Sequence, residues 1–154
     1  MVEGPSAASQ FQTRLFSYIQ RIEPLVGREK AWGILEDLVK ERRLRWLNSA
    51  KIGGGDPVEE AYRLFYTEYL KLDPEDAEIV EKKPERIVVR WRNPCPTLDA
   101  CRALGIDTRF VCRSVYESST QAFMEKVDPR LRFSRSYETI RPHSEYCEET
   151  IELI

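Results

Sequence analysis

Four cysteines and one histidine are the side chains of this 154-residue chain best suited to chemistry. Cys95, Cys101 and Cys112 fall in one stretch, Asn93 to Phe123, which reads NPCPTLDACRALGIDTRFVCRSVYESSTQAF. Cys147 lies in the final strand-like segment, four residues after His143. A thiol attacks as the thiolate, and the partial positive charge at a helix N-terminus favours that form. Cys112 falls in the first turns of a helix predicted to start at Asp107 or Thr108, which makes it a candidate nucleophile. Cys95 sits in a strand-to-helix loop, a usual place for a pocket. Against both stands the commoner role of a free cysteine, and of Cys101, as a small buried apolar residue. His143 is the only imidazole, and it would have to come within about 3 Å of a thiol to act as its base. Glu117, Glu145, Glu148 and Glu149 supply carboxylates able to orient that imidazole or act as bases themselves.

Zinc fits the spacing poorly. Structural zinc sites are built from close ligand pairs, and here Cys95 to Cys101 is a gap of six positions and Cys101 to Cys112 one of eleven. The reading therefore assigns no metal and no cofactor. It does predict that Cys95, Cys112 and Cys147, each near an element boundary, converge at one end of a sheet.

The elements that must position these groups follow from the apolar periodicity. A first helix is predicted from about Ser9 to Ile22, with Phe11, Leu15, Ile19 and Ile22 as its apolar stripe and Pro24 bending or ending it. Residues up to Ser9 are expected to be loosely ordered. A second helix spans Arg28 to about Asn48, with Trp32, Leu35, Leu38 and Val39 on one face and Trp46 and Leu47 extending it. Its basic run, Lys40 to Arg45, reads as a solvated face. Gly53-Gly54-Gly55 is a hinge rather than a phosphate loop, because Asp56 and Pro57 then start a third helix that runs to Leu70. Tyr62, Tyr66 and Tyr69 give that helix polar-tipped aromatics at the edge of the core or of a cavity.

Beyond it the period changes to two. Ile79 and Val80 begin a strand, Lys82 to Glu85 form a turn, and Ile87, Val89 and Trp91 mark a second strand. Leu98 to Gly105 and the longer segment to about Lys126 are helical. Leu131 and Phe133 mark a third strand. Cys147, Glu149, Ile151 and Leu153 share one face of a fourth. The predicted fold is α+β: N-terminal helices packed with a four-stranded antiparallel sheet made of two hairpins separated by two helices, as a single domain.

Composition narrows the partners. With 24 basic and 26 acidic residues the chain lacks the basic excess of a nucleic-acid binder. No apolar run reaches the ~18 residues that would span a membrane, and the N-terminus has no secretory pattern, so a cytoplasmic address with reduced thiols is expected. A homodimer is compatible with this reading.

From Asn93 onward the order of NPCP, DACRALGI, FVCRSVYESSTQAF, DPRLRFSRSYETI and EYCEETIEL resembles the family named for L-2-amino-thiazoline-4-carboxylate hydrolase. The matching positions are Cys95-Pro96, Cys112, Phe123, Pro129, Leu131, Arg135, Thr139 and Cys147, over roughly residues 87–154. Members often carry Gly-Asp ahead of the last cysteine, where this chain has Arg141 to Tyr146. The resemblance implies hydrolytic opening of a small cyclic isothiourea carrying a carboxylate. Cys112 or Cys95 would act as nucleophile or polarising group, with His143 or a nearby glutamate moving the proton. Arg135 or Arg141 would hold the carboxylate, and Cys147 and Tyr116 would complete the substrate site. The same succession is also similar to small-molecule-binding domains of the 4-vinyl-reductase type. That likeness implies an apolar cavity, with Trp32, Trp91, Phe110, Tyr116 and Phe123 as its supply of walls, holding a ligand without turning it over. One likeness thus implies a hydrolase and the other a binding domain without turnover.

Overall fold

A computed structural model describes residues 4–154 of the chain. Helix α1, Ala7–Val26, starts where Ser6 Oγ accepts the backbone N–H of Ser9 at 3.1 Å. The helix therefore begins ahead of Ser9, and the expectation of loose order up to that residue fails for residues 7–9; residues 1–3 lie outside the described part. Ser9 is buried because its hydroxyl donates to Asp99 Oδ2 at 2.7 Å on a later helix. That contact sets the rotation of α1, so Phe16 and Ile19 face inward while Phe11, placed in the predicted stripe, is 64% exposed. Pro24 sits inside the last turn, and Gly27, at φ 95°, takes the left-handed backbone that separates α1 from α2.

Helix α2, Arg28–Ser49, buries Trp32, Leu35, Val39, Arg43 and Leu47 along one stripe, and Leu38 points to solvent. Helix α3, Pro57–Tyr62, is capped by Asp56 and continues as a π-helical segment, Arg63–Tyr69, closed by the Leu70 N–H to Phe65 C=O bond at 2.9 Å. Helix α4, Pro96–Leu104, ends on the left-handed Gly105. Helix α5, Thr108–Val111, is capped by Asp107 and passes through a second π-helical segment, Cys112–Glu117, into α6, Ser118–Val127.

The sheet has the order β1-β2-β4-β3, all antiparallel, from β1 (Ala77–Lys83), β2 (Arg86–Trp91), β3 (Leu131–Arg135) and β4 (Cys147–Leu153). Two hairpins separated by the helices after β2 give the predicted α+β arrangement. Directly paired residues share a face of the sheet. One face thus carries Trp91 beside Cys147, Val89 and Arg135 on either side of Glu149, and Ile87 and Phe133 on either side of Ile151. The other face is laced by cross-strand ion pairs, Arg86 to Glu152 at 2.8 Å and Arg90 to Glu148 at 3.0 Å.

Two apolar clusters result. One joins the inner sheet face to α3, its π segment and α6 through Phe65, Trp91, Phe123 and Ile151. The other is helical, around Phe16, Trp32, Leu35 and Val115. Trp32 meets Phe16 and Phe110 edge-on at 5.2 and 5.7 Å, and its Nε1–H donates to Glu23 Oε1 at 2.5 Å. Trp32→Ala is expected to cost about 3–5 kcal/mol, the usual loss for an emptied aromatic core site. Urea titration would measure it, and a loss under 1 kcal/mol would mean that the helical cluster repacks freely.

Candidate functional site

The thiols do converge. Cys95, Cys112 and Cys147 all line one cavity of about 720 Å³, with walls drawn from both apolar clusters. The chain reaches it from several directions. Cys95 comes from the loop that leaves β2, and its Sγ accepts the Leu98 N–H at 3.5 Å as the cap of α4. Cys112 and Tyr116 come from the second π-helical segment; Phe65, Tyr66 and Tyr69 come from the first. Cys147 and Glu149 are alternate inward residues of β4, and Arg135 ends β3 opposite Glu149. A π-helical turn carries one residue more than an α-helical turn and is frequent where a helix serves a site. Both such turns among the described residues border the cavity.

Cys112 does not behave as the helix-start thiolate that its position predicts. It lies past the first turn of its helix, and burial pushes its thiol up to about 12, outweighing the nearby Arg135 guanidinium. Burial likewise raises Cys95 and takes Cys101, which belongs to the helical cluster, to about 12. At neutral pH these three are protonated thiols, able to donate weakly and to pack. Cys147 differs in its partners: its Sγ accepts from Arg141 twice, from Nε at 3.3 Å and from the backbone N–H at 3.4 Å.

His143 lies outside this arrangement. Its Nε2 faces Asp107 Oδ1 at 3.3 Å on the exposed surface, and it is not among the cavity's lining residues, so the expected Cys–His pairing is not formed. The turn that carries it points outward while its neighbour Arg141 points in. Arg141 spends its fork on the protein, donating from Nη1 to Asn93 O at 2.6 Å and from Nη2 to Asn93 Oδ1 at 3.1 Å. It ties the Cys95 loop to β4 and is a clamp in this structure. Arg135 donates from Nη2 to Glu149 Oε1 at 3.0 Å, while its buried Nη1 has no partner. Burial disfavours the charge of Arg135, but Glu149, with Cys112 beside it, overrides burial and holds the guanidinium well above its ordinary value. Glu149 also accepts the Tyr66 hydroxyl at 2.6 Å. Tyr116 lines the cavity, its hydroxyl accepting from the Gln12 side chain. Of the aromatic walls proposed from sequence, Trp91 joins it there; Trp32, Phe110 and Phe123 pack in the two clusters instead. Among the described residues, no group of three or more His, Cys, Asp or Glu side chains is placed to hold a metal ion.

Glu149, one of the candidate carboxylates of the sequence, is on the inward face of β4 by simple alternation, together with Cys147 and Ile151. The sequence reading missed a second buried charge. Arg43 was read into a solvated basic run, yet it is only 6% exposed. Its Nη1 donates to Thr120 Oγ1 at 2.7 Å, Ser119 Oγ at 2.9 Å and, at 3.5 Å, to Tyr116 O. Its guanidinium carbon stands 5.1, 5.5 and 6.0 Å from the ring centroids of Phe65, Tyr116 and Tyr69. Burial lowers its pKa from the ordinary arginine value.

The arrangement is thus a small apolar-walled cavity with a few converging polar groups, the usual form of a small-molecule site. Compared with known proteins, the chain matches no protein-family model and no curated protein sequence. No helix among the described residues is long and apolar enough to cross a membrane.

Proposed function

We propose that this chain binds a small organic molecule in the cavity lined by Cys95, Cys112, Cys147 and Tyr116. One observation carries the reading: a cavity of about 720 Å³ that falls within the range of ligand pockets and gathers aromatic rings, thiols and buried charged groups from six or more separate segments. A packed core has no use for such a gathering, since each buried polar group costs free energy unless it is fully partnered. Protonated thiols at Cys95 and Cys112, with no imidazole against them, favour holding a ligand over attacking it. The likeness to 4-vinyl-reductase-type binding domains points the same way.

Native mass spectrometry of freshly purified protein, set against its denatured mass, tests the reading together with a thermal-shift screen of small organic compounds. The expected result is a retained organic mass, or compounds that raise Tm and lose that effect when Tyr116→Ala or Cys112→Phe alters the cavity wall. A protein that carries nothing and responds to nothing overturns it.

A second reading rests on Cys147. Two donors from Arg141 converge on this one sulfur, which is a geometry that agrees with the resemblance to L-2-amino-thiazoline-4-carboxylate hydrolase. In that reading water adds at the ring carbon between nitrogen and sulfur, and the tetrahedral intermediate opens to a carbamoyl cysteine. Cys147, rather than Cys112 with His143, is the thiol to test. Turnover of a 2-amino-thiazoline-4-carboxylate that survives in Cys147→Ala would remove this role, and no turnover at all would leave the binding reading alone.

A further inference from the structure

Arg43 is a buried cation of the cavity with no carboxylate partner among the described residues. Its Nη1 is fully engaged by Thr120, Ser119 and the Tyr116 carbonyl. Its buried Nε has no hydrogen-bond partner, and the Tyr69 and Tyr116 side chains beside the guanidinium favour its charge. Nε and Nη2 form the side edge of a guanidinium, which presents two parallel N–H groups to a carboxylate. Of the other cations at the cavity, Arg135 is paired with Glu149 and Arg141 is held by Asn93 and Cys147. Arg42, Lys71, Asp73 and Asp76 also line the cavity, two charges of each sign. No carboxylate forms a salt bridge with Arg43 among the described residues. An unpaired buried charge is costly, and burial here already lowers the pKa of the group.

Resting on the small-molecule reading above, we infer that the ligand is a flat acid whose single carboxylate pairs with the Nε–Nη2 edge of Arg43 while its body lies among Tyr66, Tyr69, Trp91 and Tyr116. Three rings stand around the guanidinium, their centroids 5.1, 5.5 and 6.0 Å from its carbon. One fork calls for one planar anionic group, so the class is a monocarboxylate of aromatic or unsaturated character. The hydroxyls of Ser119 and Thr120 already donate to the carbonyls of Val115 and Tyr116, at 2.9 and 2.6 Å, so they do not need Arg43 to be satisfied donors. In this inference the arginine is the specificity-determining residue for the ligand.

The test uses a library of matched pairs of small aromatic and heteroaromatic carboxylic acids and their neutral amides, screened by thermal shift and ligand-observed NMR on the full chain. Binders are expected to be acids, bound about ten- to a hundredfold more tightly than their amides, as for a charge-assisted bond. In Arg43→Met that preference should vanish while the apo Tm stays equal or rises. Arg43→Lys keeps the charge without the fork and should also weaken the acids, which covers the case of a methionine variant that does not fold. Amides bound as tightly as acids by the wild type, or an acid preference kept in Arg43→Met, overturns the carboxylate inference and leaves the cavity reading standing. No binder of either kind overturns both.

Discussion

Glu149→Leu is expected to destabilise the protein by about 3–5 kcal/mol, the cost of stripping one partner from a buried ion pair. The carboxylate accepts from two donors on the inner sheet face, Arg135 Nη2 at 3.0 Å and the Tyr66 hydroxyl at 2.6 Å. Both side chains of the ion pair are about nine-tenths buried. Leucine fills the volume and leaves the Arg135 charge and the Tyr66 hydroxyl without an acceptor, so the loss is one of desolvation and not of packing. The paired substitution Arg135→Met/Glu149→Leu removes the stranded charge as well and should regain most of the loss, since apolar replacements of buried pairs are often neutral. Urea midpoints at constant m-value would measure both. If Glu149→Leu alone costs under 1 kcal/mol, the pair is hydrated and the cavity floor is wetter than its burial states.

Cys112 is expected to alkylate with iodoacetamide about a thousandfold more slowly than a free cysteine at pH 8. Its thiol moves from the ordinary 9.0 to about 12, which lowers the thiolate fraction by about three powers of ten, and only the thiolate reacts. The rate should climb about tenfold per pH unit up to the shifted value. Peptide-mapped mass spectrometry would read it site by site, and labelling at the free-cysteine rate near neutral pH would show an accessible thiolate instead. The same shift fixes a sign for stability. A thiol raised in the folded state stabilises it below the unfolded value, and that contribution is lost as pH rises from about 9 towards 12. Cys101 shifts the same way, so an alkaline decline in stability should flatten in the Cys101→Ala/Cys112→Ala variant.

Much of the fold was legible because its punctuation is local. Asp56-Pro57, Asp107 and Gly105 mark helix ends by chemistry that does not depend on the rest of the chain, and each does so in the structure. The hairpins follow from alternation alone. What sequence patterning missed was rotation about a helix axis. Phe11 and Leu38 satisfy an apolar period but face water, because distant contacts such as Ser9 to Asp99 select another face. Arg43 shows the converse. It sits four residues from both Val39 and Leu47, on the stripe Trp32, Leu35, Val39, Arg43, Leu47, and residue type hid what its spacing stated. The site residues divide in the same way. The convergence of Cys95, Cys112 and Cys147 follows from their places at element ends, whereas the outward turn of His143 depends on tertiary contacts that no spacing encodes.

The two π-helical turns make the shape of the cavity a matter of counting as well as of residue type. Each holds one residue more than an α-helix of the same rise, so the chain from the Asp56 cap to β1 carries a surplus residue that the fold has nowhere else to put. Deleting Thr67 would let the helix run on as a regular α-helix and turn all that follows by about 100°. Phe65, Tyr66 and Tyr69 could then no longer face the cavity together, although none of them had been changed. Length between two fixed anchors is in this protein a determinant of what the cavity can hold, and a one-residue insertion or deletion is the genetic event best suited to create such a pocket or to erase it.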